Sequence, residues 1–369
     1  MCAEPAPGEL SNYDHADELA PASARGLGLP DLPVLPARGF GTGPTAAFDL
    51  GFDVSTGKYP CKYAGKYPGT GPPAPLPRVI AVDHRIDLAG GRRMQFRSLG
   101  PTGGYPVIAL HGTPGSRLKF DVTEAHAHRL GLRVIAPDRW GYGGSDPHPA
   151  PELAAFATDI ARLADELGLD HFAVLGVSGG GPFAVAVAAQ LPGRVSSLAL
   201  FAPVGPIASE PDGDIGAMHR FCFGPLARRP GATRLVFRGF RRLLRWSPPF
   251  GLRIAMARVA PADRRVLAHA GVAARLAATF AEGLRAGAAG PSVDLWLFGQ
   301  RWGLPLGNIR AAARLWIGTD DRNVPVSAAK RLAARIPGCE LTELPGQGHL
   351  WVALNYDVLL DWIAESARR

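Results

Sequence analysis

The chain has 369 residues, 47% hydrophobic and 20% charged, with a formal net charge of +8. A wholly disordered protein is excluded, because disorder goes with low hydrophobicity and high charge. Gly and Pro follow no fixed period and no heptads are sustained, which excludes collagen-like and coiled-coil chains. At roughly 150 residues per domain the length allows two to three units and a large core.

Residues 1–77 are rich in Pro, Gly and Ala and end in Pro72-Pro73-Ala74-Pro75-Leu76-Pro77. Few regularly spaced apolar residues offset the ordering entropy, so a disordered N-terminal extension with a polyproline-like spacer is expected. Within it, Lys58-Tyr59, Lys62-Tyr63 and Lys66-Tyr67 repeat in register. They read as a basic aromatic contact surface or, more blandly, as part of a solvated tail. Met1-Cys2-Ala3-Glu4-Pro5 has no basic and apolar leader pattern, so no signal peptide is expected. Cys2, Cys61, Cys222 and Cys339 are far apart, which argues against a disulfide framework or zinc site and for a reducing, cytoplasmic setting.

From residue 78 apolar runs alternate with amphipathic stretches. Val79–Leu88 and Met94–Leu99 read as an antiparallel hairpin. Val107–Leu110, Arg133–Ala136, Phe172–Gly176 and Ser197–Phe201 read as further strands. Helices are predicted at Arg117–Leu130, Glu152–Leu167 and Phe183–Gln190. Phe172–Gly193 carries no charge over 22 residues, but Gly179-Gly180-Gly181-Pro182 makes it strand, turn and buried helix rather than a membrane span.

Residues 206–304 break the alternation and read as helical. Between Ile215 and Gly290 there are fourteen Arg, no Lys and two acids, Asp263 and Glu282. This segment therefore accounts for the whole positive balance. Phe237, Phe240 and Leu244 fall on one helical face, with Arg238, Arg241, Arg242 and Arg245 on the other. The basic face suits an anionic membrane surface or an anionic substrate, or is simply solvated. No recognition motif accompanies the charge, so nucleic acid is not an expected partner. The alternation resumes in residues 305–369, with strands Arg314–Ile317 and Glu340–Leu344 flanking a helix at Ser327–Ile336. A last helix is predicted over Trp351–Arg369.

The strongest chemical signal is Gly176-Val177-Ser178-Gly179-Gly180, which follows an apolar strand and opens a helix. This is the G-x-S-x-G turn in its required context. It exposes a serine hydroxyl, and side chains at Gly176 and Gly180 would collide with neighbouring backbone. The N–H of Gly179 is then free to face a developing oxyanion. A serine needs a base held by a carboxylate. His349 sits in the Gly-rich loop after the last predicted strand, and Asp320-Asp321 follow Arg314–Ile317. Asp321 is favoured as the acid and Asp320 as a turn or capping residue. The loop His111-Gly112-Thr113-Pro114-Gly115-Ser116 supplies Thr113 as second oxyanion donor, with His111 bracing it.

HGTPGS, PDRWGYGGSD, GVSGGG, GTDDRNVP and GQGHLW, in this order, resemble the α/β-hydrolase superfamily over residues 78–369. The resemblance implies an α/β fold with a mostly parallel eight-stranded sheet. It places a helical lid after the sixth strand, in the Arg-rich zone, with core segments 78–205 and 305–369 on either side. It implies Ser178 as nucleophile, Asp321 as acid, His349 as base, and Thr113 and Gly179 as oxyanion donors, with no cofactor or metal. Asp138, Arg139 and Gly143 match a structural loop. Ser178 argues against epoxide hydrolases and haloalkane dehalogenases, which place an aspartate there. Proline iminopeptidases carry HGGPG where this chain has Thr113, and this zone is nearly acid-free, which demotes an aminopeptidase. The expected function is serine-dependent hydrolysis of a carboxylic ester or similar acyl bond on an anionic or apolar small molecule. Acyl transfer, lyase chemistry and cofactor-free perhydrolysis at the same site remain alternatives. Substrate and oligomeric state are not legible.

Overall fold

The computed structural model describes residues 82–207, 220–257 and 259–368. The 1–77 extension, with its Lys-Tyr repeat and Cys2 and Cys61, lies outside the described residues.

Among the described residues eight strands form one sheet: β1 Val82–Asp87, β2 Arg93–Leu99, β3 Tyr105–Leu110, β4 Leu132–Pro137, β5 Phe172–Val177, β6 Val195–Phe201, β7 Ala312–Gly318 and β8 Glu340–Leu344. Their order is β1-β2-β4-β3-β5-β6-β7-β8. β1 and β2 form the expected antiparallel hairpin, β2 is antiparallel to β4, and every other pairing is parallel. The expected fold class is borne out.

Burial follows from that order. All six residues of central β5 are buried, whereas edge strands β1 and β8 are mostly exposed and carry the charges. A parallel sheet covered on both faces needs continuous apolar strands at its centre, and Phe172-Ala173-Val174-Leu175 supplies one. The covering helices are α1 Glu124–Leu130, α2 Leu153–Glu166 and α3 Gly181–Gln190 on the first half of the chain. α3 is buried from Gly181 to Ala189, which accounts for the uncharged stretch. Among the described residues no helix is long and apolar enough to cross a membrane.

Between β6 and β7 the described residues form α4 Pro230–Trp246, α5 Pro248–Ala255, α6 Pro261–Leu267, α7 Val272–Gly283 and α8 Ala289–Phe298. α4 turns Leu244 and the partly buried Phe237 and Phe240 inward against Leu252, Phe280 and Leu284. Arg238, Arg242 and Arg245 are exposed as expected. Arg241 is half-buried instead, donating from Nη2 to the Arg285 carbonyl at 2.9 Å. After β7 come α9 Val326–Arg335 and α10 Tyr356–Ser366.

Two predicted helices are shorter than read. Arg117–Leu130 divides into a 3-10 turn over Arg117–Thr123 and α1, because Arg117 is held by three carboxylates and Thr123 Oγ1 donates to the Phe120 carbonyl at 2.6 Å. Trp351–Arg369 divides at Asn355, whose Nδ2 donates to the Trp351 carbonyl at 2.7 Å and closes a 3-10 turn ahead of α10.

Candidate active site

Ser178 stands at the turn between β5 and α3 with φ 56°, a conformation that L side chains adopt only under constraint. The constraint is steric. A Cβ on Gly180 would lie 2.2 Å from the Leu110 carbonyl oxygen and 2.7 Å from that of His111. A Cβ on Gly176 would meet Ala184 at 2.6 Å. The strand, the loop after β3 and α3 therefore approach each other only through glycine.

The sequence-predicted residues converge on this turn. Ser178 Oγ and His349 Nε2 are 2.9 Å apart, and His349 Nδ1 and Asp321 Oδ2 are 2.7 Å apart. An ionised carboxylate only accepts, so Nδ1–H donates to Asp321 and leaves the Nε2 lone pair toward the serine hydroxyl. The other carboxylate oxygen, Oδ1, accepts from the backbone N–H of Asn323 at 2.8 Å and Val324 at 3.0 Å. Asp321 is thus oriented at both ends. Its neighbour Asp320 is exposed and sits beside Thr319 Oγ1.

Gly179 and Thr113 meet across the site. A Cβ on Gly179 would lie 3.1 Å from the Thr113 backbone nitrogen, so the two residues stand side by side next to Ser178. The loop carrying Thr113 is held from behind. His111 is fully buried; Nδ1–H donates to the Gly112 carbonyl at 2.9 Å and Nε2 accepts from the Arg139 N–H at 3.0 Å. Burial, then the Arg139 charge, push its pKa well below the usual histidine value, so it is neutral and bracing. Arg139 donates from Nε to the His111 carbonyl at 3.0 Å and from Nη2 to that of Gly112 at 3.1 Å. Asp138, also fully buried, accepts from the Arg117 N–H at 2.8 Å and its guanidinium at 2.7 Å. The Gly143 turn presses against its carboxylate, where a Cβ would come within 2.0 Å.

Three acids of the 206–304 segment reach into this framework. Asp294 on α8 makes a two-pronged pair with Arg139 at 2.6 and 2.8 Å and accepts from the Tyr142 hydroxyl at 2.6 Å and from Thr113 Oγ1. Glu282 on α7 pairs with Arg117 at 2.6 Å. Asp263 on α6, fully buried, accepts from the backbone N–H of His349 at 3.1 Å and of Leu350 at 2.7 Å. It packs so closely that a Cβ on Gly348 would lie 2.3 Å from its carboxylate. Asp263 and Asp294 were not singled out as site residues from sequence. The only available signal was that acids are scarce in an Arg-rich segment.

Ser178, His349, Thr113 and Gly179 open onto a cavity of about 1320 Å³. Its wall is mainly apolar, including Leu226, Phe237, Phe240, Phe280, Leu295 and Phe298 from the segment between β6 and β7.

This sheet, with its serine turn, late acid and final histidine, has the α/β-hydrolase fold. A family profile described as the alpha/beta hydrolase fold matches residues 105–222. The chain is 35% identical over 129 residues to a non-heme chloroperoxidase of Streptomyces lividans, covering 34% of this chain and 47% of that protein. It is 34% identical over 137 residues to a 2-hydroxy-6-oxo-2,4-heptadienoate hydrolase of Pseudomonas putida, covering 35% of this chain and 48% of that protein. These matches span about half the length of the curated relatives. An alpha/beta hydrolase fold protein from Nakamurella multipartita is 27% identical with a TM-score of 0.57, covering 78% of this chain and 99% of that one.

Proposed function

We propose that this protein is a serine hydrolase that cleaves a carboxylic ester or similar acyl bond through an acyl-enzyme. The observation that carries the reading is the continuous run Ser178–His349–Asp321, at 2.9 and 2.7 Å, opening on a large apolar cavity. The Ser178 hydroxyl attacks the acyl carbon while His349 Nε2 takes its proton. The N–H groups of Thr113 and Gly179 hold the oxyanion. His349 returns the proton to the leaving oxygen as the carbon–oxygen bond breaks. Water, deprotonated by His349, then attacks the acyl carbon, and the acid leaves as the Ser178 hydroxyl is restored. The helices between β6 and β7 act as a lid that shapes the acyl pocket. A cytoplasmic setting is supported by the free thiols of Cys222 and Cys339.

An aminopeptidase fits poorly. Asp263, Glu282 and Asp294 are committed to internal bonds, and the cavity wall offers no spare carboxylate for a substrate amine among the described residues. The partial likeness to a chloroperoxidase supports one second reading, perhydrolysis, in which hydrogen peroxide replaces water and the acid leaves as a peracid.

The test is turnover of an ester panel in oxygen-18 water. Hydrolysis places one solvent oxygen in each acid product. An acid without solvent oxygen, or no acid at all, rejects hydrolysis; peracid formed only with peroxide favours the second reading.

A further inference from the structure

The charges on the cavity wall are one-sided. Asp321 is the sole acid among the described lining residues, and it is engaged by His349. Against it stand Lys119, Arg322 and Lys330. Lys330 is paired with Glu343 at 2.7 Å, and Arg322 is exposed. Lys119 differs from both. It lies on the 3-10 turn that follows the Thr113 loop, so the chain that places an oxyanion donor also places this amine.

The neighbouring acids are already used. On the same turn, Asp121 pairs with Arg97, and Arg117 gathers Asp83, Asp138 and Glu282. On α7, which packs against the turn, Glu282 divides itself between Arg117 and Arg285. His111 behind the turn is neutral. Among the described residues no side chain or backbone group bonds or pairs with the amine of the half-buried Lys119, and burial alone pulls its pKa down to about 8. An ammonium held in an apolar wall without a counterion is costly, and a ligand carboxylate would relieve that cost.

We propose that Lys119 is the anchor for an anionic group on the substrate, so that the preferred acyl compound carries a carboxylate at the end remote from the scissile bond. This rests on the serine hydrolase reading and specifies its substrate class. The apolar wall between the two ends fits an aliphatic or aromatic spacer. Only the charged terminus distinguishes such a substrate from a neutral ester of the same shape.

The test uses mono-4-nitrophenyl esters of straight-chain dicarboxylic acids, from succinic to sebacic, beside the matching neutral monocarboxylic esters. For at least one length the wild type should favour the anionic ester in kcat/KM. Lys119→Met should lower that value by about 10-fold or more, the scale of a lost charge-assisted contact, and leave the neutral ester within about 2-fold. The wild-type preference should fade as pH rises through about 8, where the amine loses its proton, and be flat in the variant. Lys119→Met should melt no lower than wild type, since it removes an unpaired charge. Lys119→Gln repeats the kinetics if the first variant folds poorly. Anionic esters poorer at every length, or equal losses in both series, overturn the proposal while leaving the hydrolase reading intact. If neither series is turned over, the hydrolase reading has failed. Calorimetry with the dicarboxylic acids on Ser178→Ala, with and without Lys119→Met, then decides for Lys119: tighter binding with the lysine supports it, and equal binding overturns it.

Discussion

A serine hydroxyl gains nucleophilicity only from its neighbours, and His349 is held from two directions. Asp321 fixes the ring through Nδ1, while Asp263 fixes the backbone through the N–H groups of His349 and Leu350. Burial raises the Asp263 pKa, and the two backbone donors and the facing histidine oppose that rise. Asp263 therefore acts as a positioning residue. Asp263→Asn replaces an acceptor with an NH2 that opposes one of the two N–H groups, and should shift the ring. We expect kcat to fall by about 10- to 100-fold with little change in KM. A loss confined to melting temperature would make Asp263 structural only. Ser178, Asp321 and His349 were legible because each sits in a local motif whose turn chemistry is written within a few residues. Asp263 and Lys119 were not, because their meaning arises only when a distant helix or turn packs against the site.

At the scale of elements, the helices between β6 and β7 are tied to the core by their acids. Arg139 and Asp294 are both essentially excluded from solvent, so neither charge has water to fall back on. Removing one partner of such a pair costs about 3–5 kcal/mol. Asp294→Ala should therefore lower unfolding free energy by about that amount in a denaturant titration, and loosen Thr113, which donates to the same carboxylate. A change below about 1 kcal/mol would mean that Arg139 finds another partner. The outer face of α4 poses a different question. Leu235 and Trp246 are 70% and 77% exposed, and Arg238, Arg242 and Arg245 are exposed around them. This combination suits the interface of an anionic bilayer. Phosphatidylglycerol vesicles should sediment the wild type at low salt, phosphatidylcholine vesicles should not, and Trp246→Ala should weaken the effect. Equal sedimentation with both lipids removes the membrane partner from this account. Helix faces were readable from periodicity, as Leu244 and Phe237 show. The breaks at Thr123 and Asn355 were not, because each depends on a side chain bonding to local backbone carbonyls.

Across the whole molecule, charge is segregated. The Arg-rich insertion carries the positive excess, whereas carboxylates of β1 and the loop after β4 pair with Arg97 and Arg117 of the core. Asp83 is an example. Burial alone would raise its pKa, but hydrogen bonds from Arg117 and Arg97 outweigh that and hold it well below the usual carboxylate range. A depressed folded pKa stabilises the protein above the unfolded value of about 4 and is lost as pH falls below it. Wild type should therefore lose more melting temperature than Asp83→Asn on acidification below about pH 4. Parallel curves would show that the Arg117 cluster redistributes without Asp83. The parallel core followed from the alternation of apolar runs and helices. The pairing of Arg117 with three acids, from β1, the loop after β4 and α7, did not follow, since no sequence period links positions so far apart.

The central claim is that Ser178 is an activated nucleophile. Intact mass after treatment with a fluorophosphonate probe tests it most directly, with wild type beside folded Ser178→Ala. The account predicts one phosphonyl adduct on the wild type, mapped to Ser178, and none on the variant. An unlabelled wild type, or a variant labelled as fully as wild type, would contradict it.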